Sequence, residues 1–363
     1  GQFYGWGRPL YFNSSGDPSL TFGKPSWYEQ VGKEVNQTNK DAAIFDQSTF
    51  GKIEVEGKDA CKFLNKICAN QMNCLPGKVI YTSMLNKLGC IESDLTAIRL
   101  SENHYRLYVG TTSVRRDMSW LLRNLEDENV KLSDRTEDFA VIGLMGPNTL
   151  KIANKIGAKE LNELKYFNFI RTSIAGKEVD AARLSYVGEA GWEITCHKDH
   201  AQSIYEIFLE AGAKPSGLFA QTSMRIEKKF LAYGHELDTD ISPLEAGLDF
   251  AIAWNTNFIG KKALENNYNK KTENRIVLVK FEDPNAFPIG NEPVYFNKKI
   301  VGRTTSAAFG YRVGAPIAIA DINKEEARKN DARVSIDIGR KFFDGIVSTK
   351  ALFDPLGKRM RII

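Results

Sequence analysis

The chain of 363 residues lacks several features that mark common classes of protein. It has no apolar run of the ~18 residues that a membrane-spanning helix needs. It has neither a G-x-G-x-x-G nor a G-x-x-x-x-G-K-[ST] loop, so no dinucleotide-binding fingerprint and no P-loop is found. The net charge is only +4, from 49 basic and 45 acidic residues. We therefore predict no membrane and no nucleic-acid partner, and a small anionic ligand would suit this charge balance.

Cysteine is scarce, and its spacing suggests no disulfide framework. The five cysteines include no C-x-x-C pair, and their number is odd; they are Cys61, Cys68, Cys74, Cys90 and Cys196. This pattern favours a reducing compartment, so we expect the cytoplasm, or the mitochondrial matrix if the source is eukaryotic. The chain begins at Gly1 rather than Met and shows no signal-peptide pattern, as expected of a chain trimmed or cut from a longer one.

Histidine is also scarce, with four residues in the chain. His197 and His200 form an H-x-x-H pair, but no cysteine or carboxylate set nearby completes a metal site. We interpret the pair as the polar start of a helix and predict no bound metal. The charges of "MRIEKK" (224–229) are interpreted as a surface network on a helix.

The patterns that are present alternate between strands and helices. "KIEVEG" (52–57) alternates like a half-buried strand and leads into a helical pattern at 59–70. The same order of strand, glycine and helix recurs at 139–157, which hints at two similar halves. Residues 112–125 are predicted to form an amphipathic helix with Met118, Leu121 and Leu122 on one side.

The pattern changes near residue 275. "ENNYNKKTENR" (265–275) has the composition of a linker. Strand patterns dominate after it, in "IVLVKF", "PVYF", "KIVGRTTSA", "APIAIADI" and "RVSIDI", with a hairpin turn at 297–299. We therefore predict an α/β region at 1–275 and a β-rich domain at 276–363.

Asp94 is the first candidate for a functional residue. It lies at the entry to the strand in "LGCIESDLTAIRL", where a lone Asp is most often a solvated acid. However, "GKVIYTSMLNKLG" places Tyr81 on an adjoining strand. An aromatic ring beside a carboxylate is typical of a ligand pocket, so we predict that the two share one.

Tyr186 and Glu193 bracket the second candidate, "YVGEAGWE". The simpler interpretation is a hairpin in which Tyr186 packs on Trp192. The functional interpretation is an aromatic wall beside a carboxylate that accepts two parallel hydrogen bonds from a guanidine-like ring edge. The glycines would let the backbone turn close to such a ligand.

Read together, these stretches resemble one family. "AIFDQSTFGKIEVEG", "YTSMLNKLGCIESDL", "LSYVGEAGWEI", "YGHELDTDISPLEAGL" and "FIGKKAL" are similar to the aminomethyltransferase (glycine cleavage T-protein) superfamily. "GWGRPLYF" and "ALFDPLGKRMR" resemble the C-terminal folate-binding half of sarcosine and dimethylglycine dehydrogenases. The matches follow the family's order from about residue 5 to residue 361.

The resemblance implies an α+β, T-protein-like three-domain arrangement around a central opening for tetrahydrofolate. Two interleaved α/β subdomains would be followed by a C-terminal β barrel. Asp94 falls on the family's catalytic acid, Tyr186 and Glu193 on its pterin contacts, and Tyr81 on an aromatic pocket position. Thr96, two residues after Asp94, should face the same side of its strand.

Two positions depart from the family pattern. Gly89-Cys90 replaces a Gly-Gly pair before Asp94, and Gln221 stands where an Arg is usual in T-proteins. The second departure favours the dehydrogenase branch.

The resemblance implies tetrahydrofolate-dependent transfer of a one-carbon unit from a small methylated amine or another methyl donor, with a flavin dehydrogenase domain or subunit as a possible partner. The alternatives are a free-standing T-protein served by a lipoyl-bearing carrier, a demethylase of another small methylated solute, and a non-catalytic folate-binding module. With no nucleotide-binding fingerprint, the chain itself is predicted not to bind flavin or to oxidise an amine.

Overall fold

The computed structural model describes residues 1–3, 5–13, 21, 23–268 and 274–362. Helices and strands are mixed, as the predicted α+β class requires. The helices are α1 (Tyr28–Lys40), α2 (Ala60–Ile67), α3 (Val114–Arg123), α4 (Thr149–Lys155), α5 (Lys198–Ala211), α6 (Leu218–Glu227), α7 (Pro243–Ala246) and α8 (Lys261–Tyr268). The strands are β1 (Gln2–Phe3), β2 (Trp6–Gly7), β3 (Ala43–Asp46), β4 (Gly51–Glu56), β5 (Val79–Leu85), β6 (Ile91–Ser101), β7 (His104–Val109), β8 (Lys131–Asp134), β9 (Phe139–Met145), β10 (Phe169–Ile174), β11 (Lys177–Ala182), β12 (Gly191–His197), β13 (Lys214–Pro215), β14 (Arg275–Phe281), β15 (Pro293–Phe296), β16 (Lys299–Gly310), β17 (Ala315–Ile322), β18 (Arg333–Ile338) and β19 (Lys341–Ser348). In these ranges no helix combines the length and the apolar character that crossing a bilayer demands.

The first sheet has five antiparallel strands in the order β5-β6-β7-β4-β8. Strands β6 and β7 form a hairpin. Helices α2 and α3 cover one face and bury a core with Ile53, Phe63 and Leu121. The predicted apolar side of α3 is partly wrong, because Leu122 is 55% exposed. Val114, Met118 and Leu121 of α3 pack against the core, and Leu122, one position further, points away from it.

The second sheet has six strands in the order β10-β11-β12-β9-β3-β13, and α4 and α5 pack against its outer face. The inner faces of the two sheets meet. The Tyr108 hydroxyl and Thr195 Oγ1 are 2.7 Å apart, and Arg106 bridges Glu54 and Asp180 at 2.7 and 2.8 Å. These contacts fix the position of β4 and β7 relative to β11 and β12.

The two predicted similar halves have the same strand-to-helix turn. Gly57 follows β4 with φ +142°, and Gly146 follows β9 with φ +135°. A Cβ at Gly57 would lie 2.0 Å from the Asn129 carbonyl oxygen, and one at Gly146 would lie 2.1 Å from that of Asp41. Only glycine fits either turn, because both conformation and space exclude a side chain.

The C-terminal strands close into a barrel in the order β14-β17-β16-β15-β18-β19, which confirms the predicted barrel. The sequence patterns identified five of these strands and missed β19. Strand β14 begins at Arg275, and the domain boundary at residues 275 and 276 stays a prediction. The predicted linker is partly wrong, because residues 265–268 belong to α8. Residues 269–273 lie outside the described part of the chain.

Helix α6 joins the second sheet to the barrel. The predicted surface network at its end is wrong, because Arg225, Glu227 and Lys228 are 4%, 0% and 5% exposed. Their partners come from elsewhere in the chain: Glu227 pairs with Arg312, and Arg225 with Glu236. The helix ends at Glu227, and Lys229 has a left-handed φ of +56°.

Candidate functional site

Tyr81, Asp94 and Thr96 lie on the inner face of the first sheet. Tyr81 pairs with Thr96 across β5 and β6, and Thr96 pairs with Tyr108 on β7. Asp94 precedes Thr96 by two residues, so both side chains leave the same face of β6. Because Tyr108 reaches Thr195 on β12, this face is directed at the strand that carries Glu193.

The Asp94 carboxyl is enclosed and only partly satisfied. Its Oδ1 is buried and has no hydrogen-bond partner. Burial raises its pKa from 3.8 to about 7, against a hydrogen bond from Tyr81, and the charge of Asp117 raises it further. Asp117 lies on the opposite side of β6, where it accepts hydrogen bonds of 2.7 Å from Ser93 and Ser113. A carboxyl with this pKa can take up or release a proton near neutrality.

Tyr186 lies on the loop between β11 and β12, close enough to Asp94 for the carboxylate to raise its pKa, although burial is the larger cause. The simpler interpretation, packing on Trp192, is not supported by the ring contacts of the described residues. Trp192 is fully buried, whereas Tyr186 stacks on Phe230 with 6.0 Å between ring centroids and 17° between planes. Its hydroxyl donates to the Leu231 carbonyl at 2.8 Å. The segment after α6 therefore orients this ring.

Glu193 lies on β12 and is 9% exposed. Burial raises its pKa to about 7, and a hydrogen bond from Gln47 acts in the opposite direction. Alternation along β12 places Glu193 on the same face as Thr195, towards the first sheet. A buried carboxyl of this kind is a ready acceptor for N–H groups of a ligand.

Sequence reasoning missed several residues around this group. Phe250 stacks on Tyr81 with 6.0 Å between centroids and 18° between planes, yet it is 70% exposed. Phe230 supports Tyr186, and Glu236 accepts from Arg225 at 2.9 Å close to the same ring. The segments "KKF" and "LDF" that carry the two phenylalanines show no periodicity of their own. The one sequence signal for either residue was that Phe250 follows the family segment "EAGL" (245–248).

One of the two departures from the family pattern has a structural explanation. Gly89 takes a positive φ of +80° in the β5–β6 turn, and the amide of Cys90 donates to Asn86 Oδ1 at 3.1 Å. Cys90 does not need a glycine conformation there. Gln221 is 7% exposed within α6.

His197 and His200 do not form part of a metal cluster among the described residues. His197 is the N-cap of α5, and its Nδ1 accepts from the Asp199 amide at 3.4 Å. Elsewhere among the described residues, potential metal-ligand atoms of Glu54, Glu56 and His104 lie within 4.8 Å of one another. Glu54 already accepts from Arg106 at 2.7 and 3.0 Å. The absence of a metal stays a prediction.

Together these residues provide two enclosed carboxyls, those of Asp94 and Glu193, and two aromatic walls, the rings of Tyr81 and Tyr186. The Asp94 carboxyl has an unpartnered oxygen, and the Glu193 carboxyl lies on the inner face of the opposite sheet. Such an arrangement can hold a flat ring that presents N–H donors, and it can accept a proton from a bound amine.

Comparisons with known proteins agree with this architecture. The model of the GCVT N-terminal domain matches residues 1–256, and that of the glycine cleavage T-protein C-terminal barrel domain matches residues 274–354. A glycine cleavage system aminomethyltransferase T from Bartonella henselae superimposes with a TM-score of 0.86 at 23% identity, over 98% of this chain and 94% of that one. The fold is that of an aminomethyltransferase.

Curated relatives of two kinds are similar to this chain in sequence. Aminomethyltransferase of Thermosipho melanesiensis is 31% identical over 88% of this chain and 88% of its own length. The mitochondrial dimethylglycine dehydrogenase of Homo sapiens is 32% identical over 87% of this chain, but the match spans only 38% of its length. The chain belongs to the glycine cleavage T-protein family. Members of this family are transferases that use tetrahydrofolate, so the predicted class and cofactor are confirmed at the level of the family.

Proposed function

We propose that this chain binds tetrahydrofolate between its two sheets and loads it with a one-carbon unit from a small methylated amine. The observation that supports the proposal most is Asp94. Its carboxyl is enclosed, its Oδ1 has no partner and its pKa is about 7. An acid in that state is suited to proton transfer rather than to structural support.

The residues present fit tetrahydrofolate. The pterin ring is flat and has an amino-pyrimidinone edge with neighbouring N–H donors. Glu193 would accept from that edge, and Tyr186 would lie against the ring face. Tyr81, backed by Phe250, would form the wall next to Asp94.

The reaction assigns one role to Asp94. When bound, tetrahydrofolate supplies the nucleophilic amine to which the one-carbon unit is added and from which a proton is lost. Asp94 would accept that proton at its unpartnered oxygen, and the negative charge it carries beforehand would stabilise a neighbouring cation. The enclosing sheets would keep water and a reactive one-carbon unit apart.

The donor is inferred from the longer relatives. Because the dimethylglycine dehydrogenases share this region, we infer that a flavin dehydrogenase domain or subunit oxidises the methylated amine and delivers an iminium or formaldehyde. This chain would then capture the one-carbon unit.

A direct test combines binding and turnover. Anaerobic calorimetry with tetrahydrofolate should give micromolar binding, about −8 kcal/mol. Formaldehyde and a dimethylglycine-oxidising flavoenzyme are then supplied separately as sources, and methylene-tetrahydrofolate is measured. Absence of binding at millimolar tetrahydrofolate would contradict the proposal.

A second candidate is the free-standing aminomethyltransferase, which is favoured by the match over 88% of the Thermosipho enzyme. It would release a one-carbon unit from an aminomethyl group on a lipoyl-bearing carrier. Turnover with an aminomethylated carrier, but none with the flavoenzyme, would favour this candidate. Folate binding without turnover from any donor would instead indicate a binding module.

A further inference from the structure

Gln47 is a buried polar residue without a role so far. It follows β3, and its backbone is fixed because its amide donates to the Val141 carbonyl at 2.9 Å. The residue is only 4% exposed, so its side-chain amide is removed from solvent. The side-chain amide lies beside β9, where its Oε1 and Cδ are the atoms nearest to a Cβ placed on Gly143.

The two ends of this amide are in different situations. The nitrogen end is assigned to Glu193, since a carboxylate can only accept and Gln47 lowers the pKa of that acid. The oxygen end, Oε1, is buried and has no hydrogen-bond partner. Buried amide oxygens in folded proteins are nearly always paired, so an unpaired one calls for a donor that the chain itself does not provide.

The neighbouring backbone leaves space for this amide. Gly143 pairs with Glu193 across β9 and β12, so a side chain at either position leaves the same face. A Cβ on Gly143 would lie 2.7 Å from Gln47 Oε1 and 3.2 Å from its Cδ. The absent side chain at Gly143 therefore gives Gln47 its place beside the Glu193 carboxyl.

We propose that Gln47 is a specificity residue of this site, in which Nε2 holds the Glu193 carboxylate and Oε1 accepts an N–H from the ligand ring. The proposal rests on the proposed folate site. The carboxylate and the amide oxygen would present adjacent acceptors, which match a ring edge with successive N–H groups. A ring with a lone pair in place of one N–H would meet an acceptor there and be rejected.

Two measurements on Gln47→Met test the proposal, since Met keeps the length of the side chain but removes both hydrogen-bonding ends. Tetrahydrofolate affinity by anaerobic calorimetry should fall about tenfold or more. Independently of any ligand, the Glu193 pKa, followed by carboxyl carbon NMR of the apoprotein, should rise because its donor is lost. Among the described residues, Tyr166 is a titratable group close enough to interact with the Glu193 charge, and it is unchanged in the variant. Gln202→Met, an exposed change on α5, is the control.

The outcomes separate the two ideas. If the wild-type protein binds tetrahydrofolate and Gln47→Met changes neither affinity nor the Glu193 pKa, the role of Gln47 is refuted. A raised pKa with unchanged affinity would refute the ring contact and reduce Gln47 to a support for Glu193; an ordered water would then satisfy Oε1. Failure of the wild type to bind would refute the folate proposal and the ring contact together. If the Met variant does not fold, Gln47→Leu provides the same comparison, because it also removes both the donor and the acceptor.

Discussion

Replacing Asp94 by Asn should stabilise the protein above neutral pH while it removes the proposed base. The pKa of Asp94 rises from 3.8 to about 7 on folding. At about 1.4 kcal/mol per unit, the ionised carboxylate then costs the folded state up to about 4 kcal/mol. Below pH ~4 the acid is protonated in both states and the cost is absent. Between pH ~4 and ~7 only the unfolded chain ionises, so wild-type stability falls as pH rises, and above ~7 the full cost applies.

Asparagine carries no charge, so its advantage should grow with pH. Urea unfolding at pH 5 and at pH 8.5 should show the stability difference between Asp94→Asn and wild type widening by about 2–3 kcal/mol. One-carbon transfer to tetrahydrofolate should fall by about 10²–10⁴ in the same sample, with affinity changed far less. Asp127→Asn, an exposed change, is the control. A stability difference that does not change with pH would refute the reasoning, and retained activity would return Asp94 to a simple strand acid.

Four further predictions concern neighbouring features. Glu193→Gln should weaken tetrahydrofolate binding ten- to a hundredfold, since a charge-assisted bond is worth about 1.5–3 kcal/mol. Wild-type affinity should rise between pH 6 and pH 8 as Glu193 ionises, and the variant should not show this rise. A variant with the wild-type pH profile would count against a ligand role for Glu193. Phe250→Ala should raise KM several-fold by removing a stack worth about 0.5–1.5 kcal/mol, with little effect on Tm because the ring is 70% exposed; a large fall in Tm would mean that the ring is structural. Arg312→Met should lower the free energy of unfolding by about 3–5 kcal/mol because it leaves buried carboxylates unpaired, and urea unfolding measures this; a loss below about 1 kcal/mol would show that the network is dispensable. The purified chain should show no flavin absorption after gel filtration and should not oxidise dimethylglycine, and a persistent yellow band would contradict this.

The sequence predicts the strands of this fold better than its contacts. Alternation over the barrel segments and the turn at 297–299 depends on local chemistry, so both are found in the structure. Strand β19 was missed because its sequence, "KFFDGIVS", places Gly345 inside the run and obscures the period. The glycine is there because a Cβ would lie 2.5 Å from Val279 on the neighbouring strand.

Burial and pairing between distant segments could not be read in the same way. Arg225, Glu227 and Lys228 have the spacing of a solvated helix face, and only the barrel and the C-terminal segment convert them into buried ion pairs. Gln47 was overlooked because its proposed role depends on contacts with Gly143 and Glu193, which are distant in sequence and come together only in the folded chain. Asp94 and Glu193 were candidates from their local sequence, and the family resemblance implied their roles. The structure adds that burial raises both pKa values to about 7.

The ion pairs of Arg312 also have a consequence for how the molecule unfolds. Arg312, after β16, binds Glu227 at the end of α6 and Glu189 before β12, and Glu189 in turn binds Arg359 near the C-terminus at 2.7 Å. Glu189, Glu227 and Arg312 have side chains no more than 1% exposed, so detaching the barrel from the second sheet would leave buried charges without partners. Local detachment is therefore about as unfavourable as a much larger opening, and the sheet and the barrel should melt in a single cooperative transition rather than one after the other.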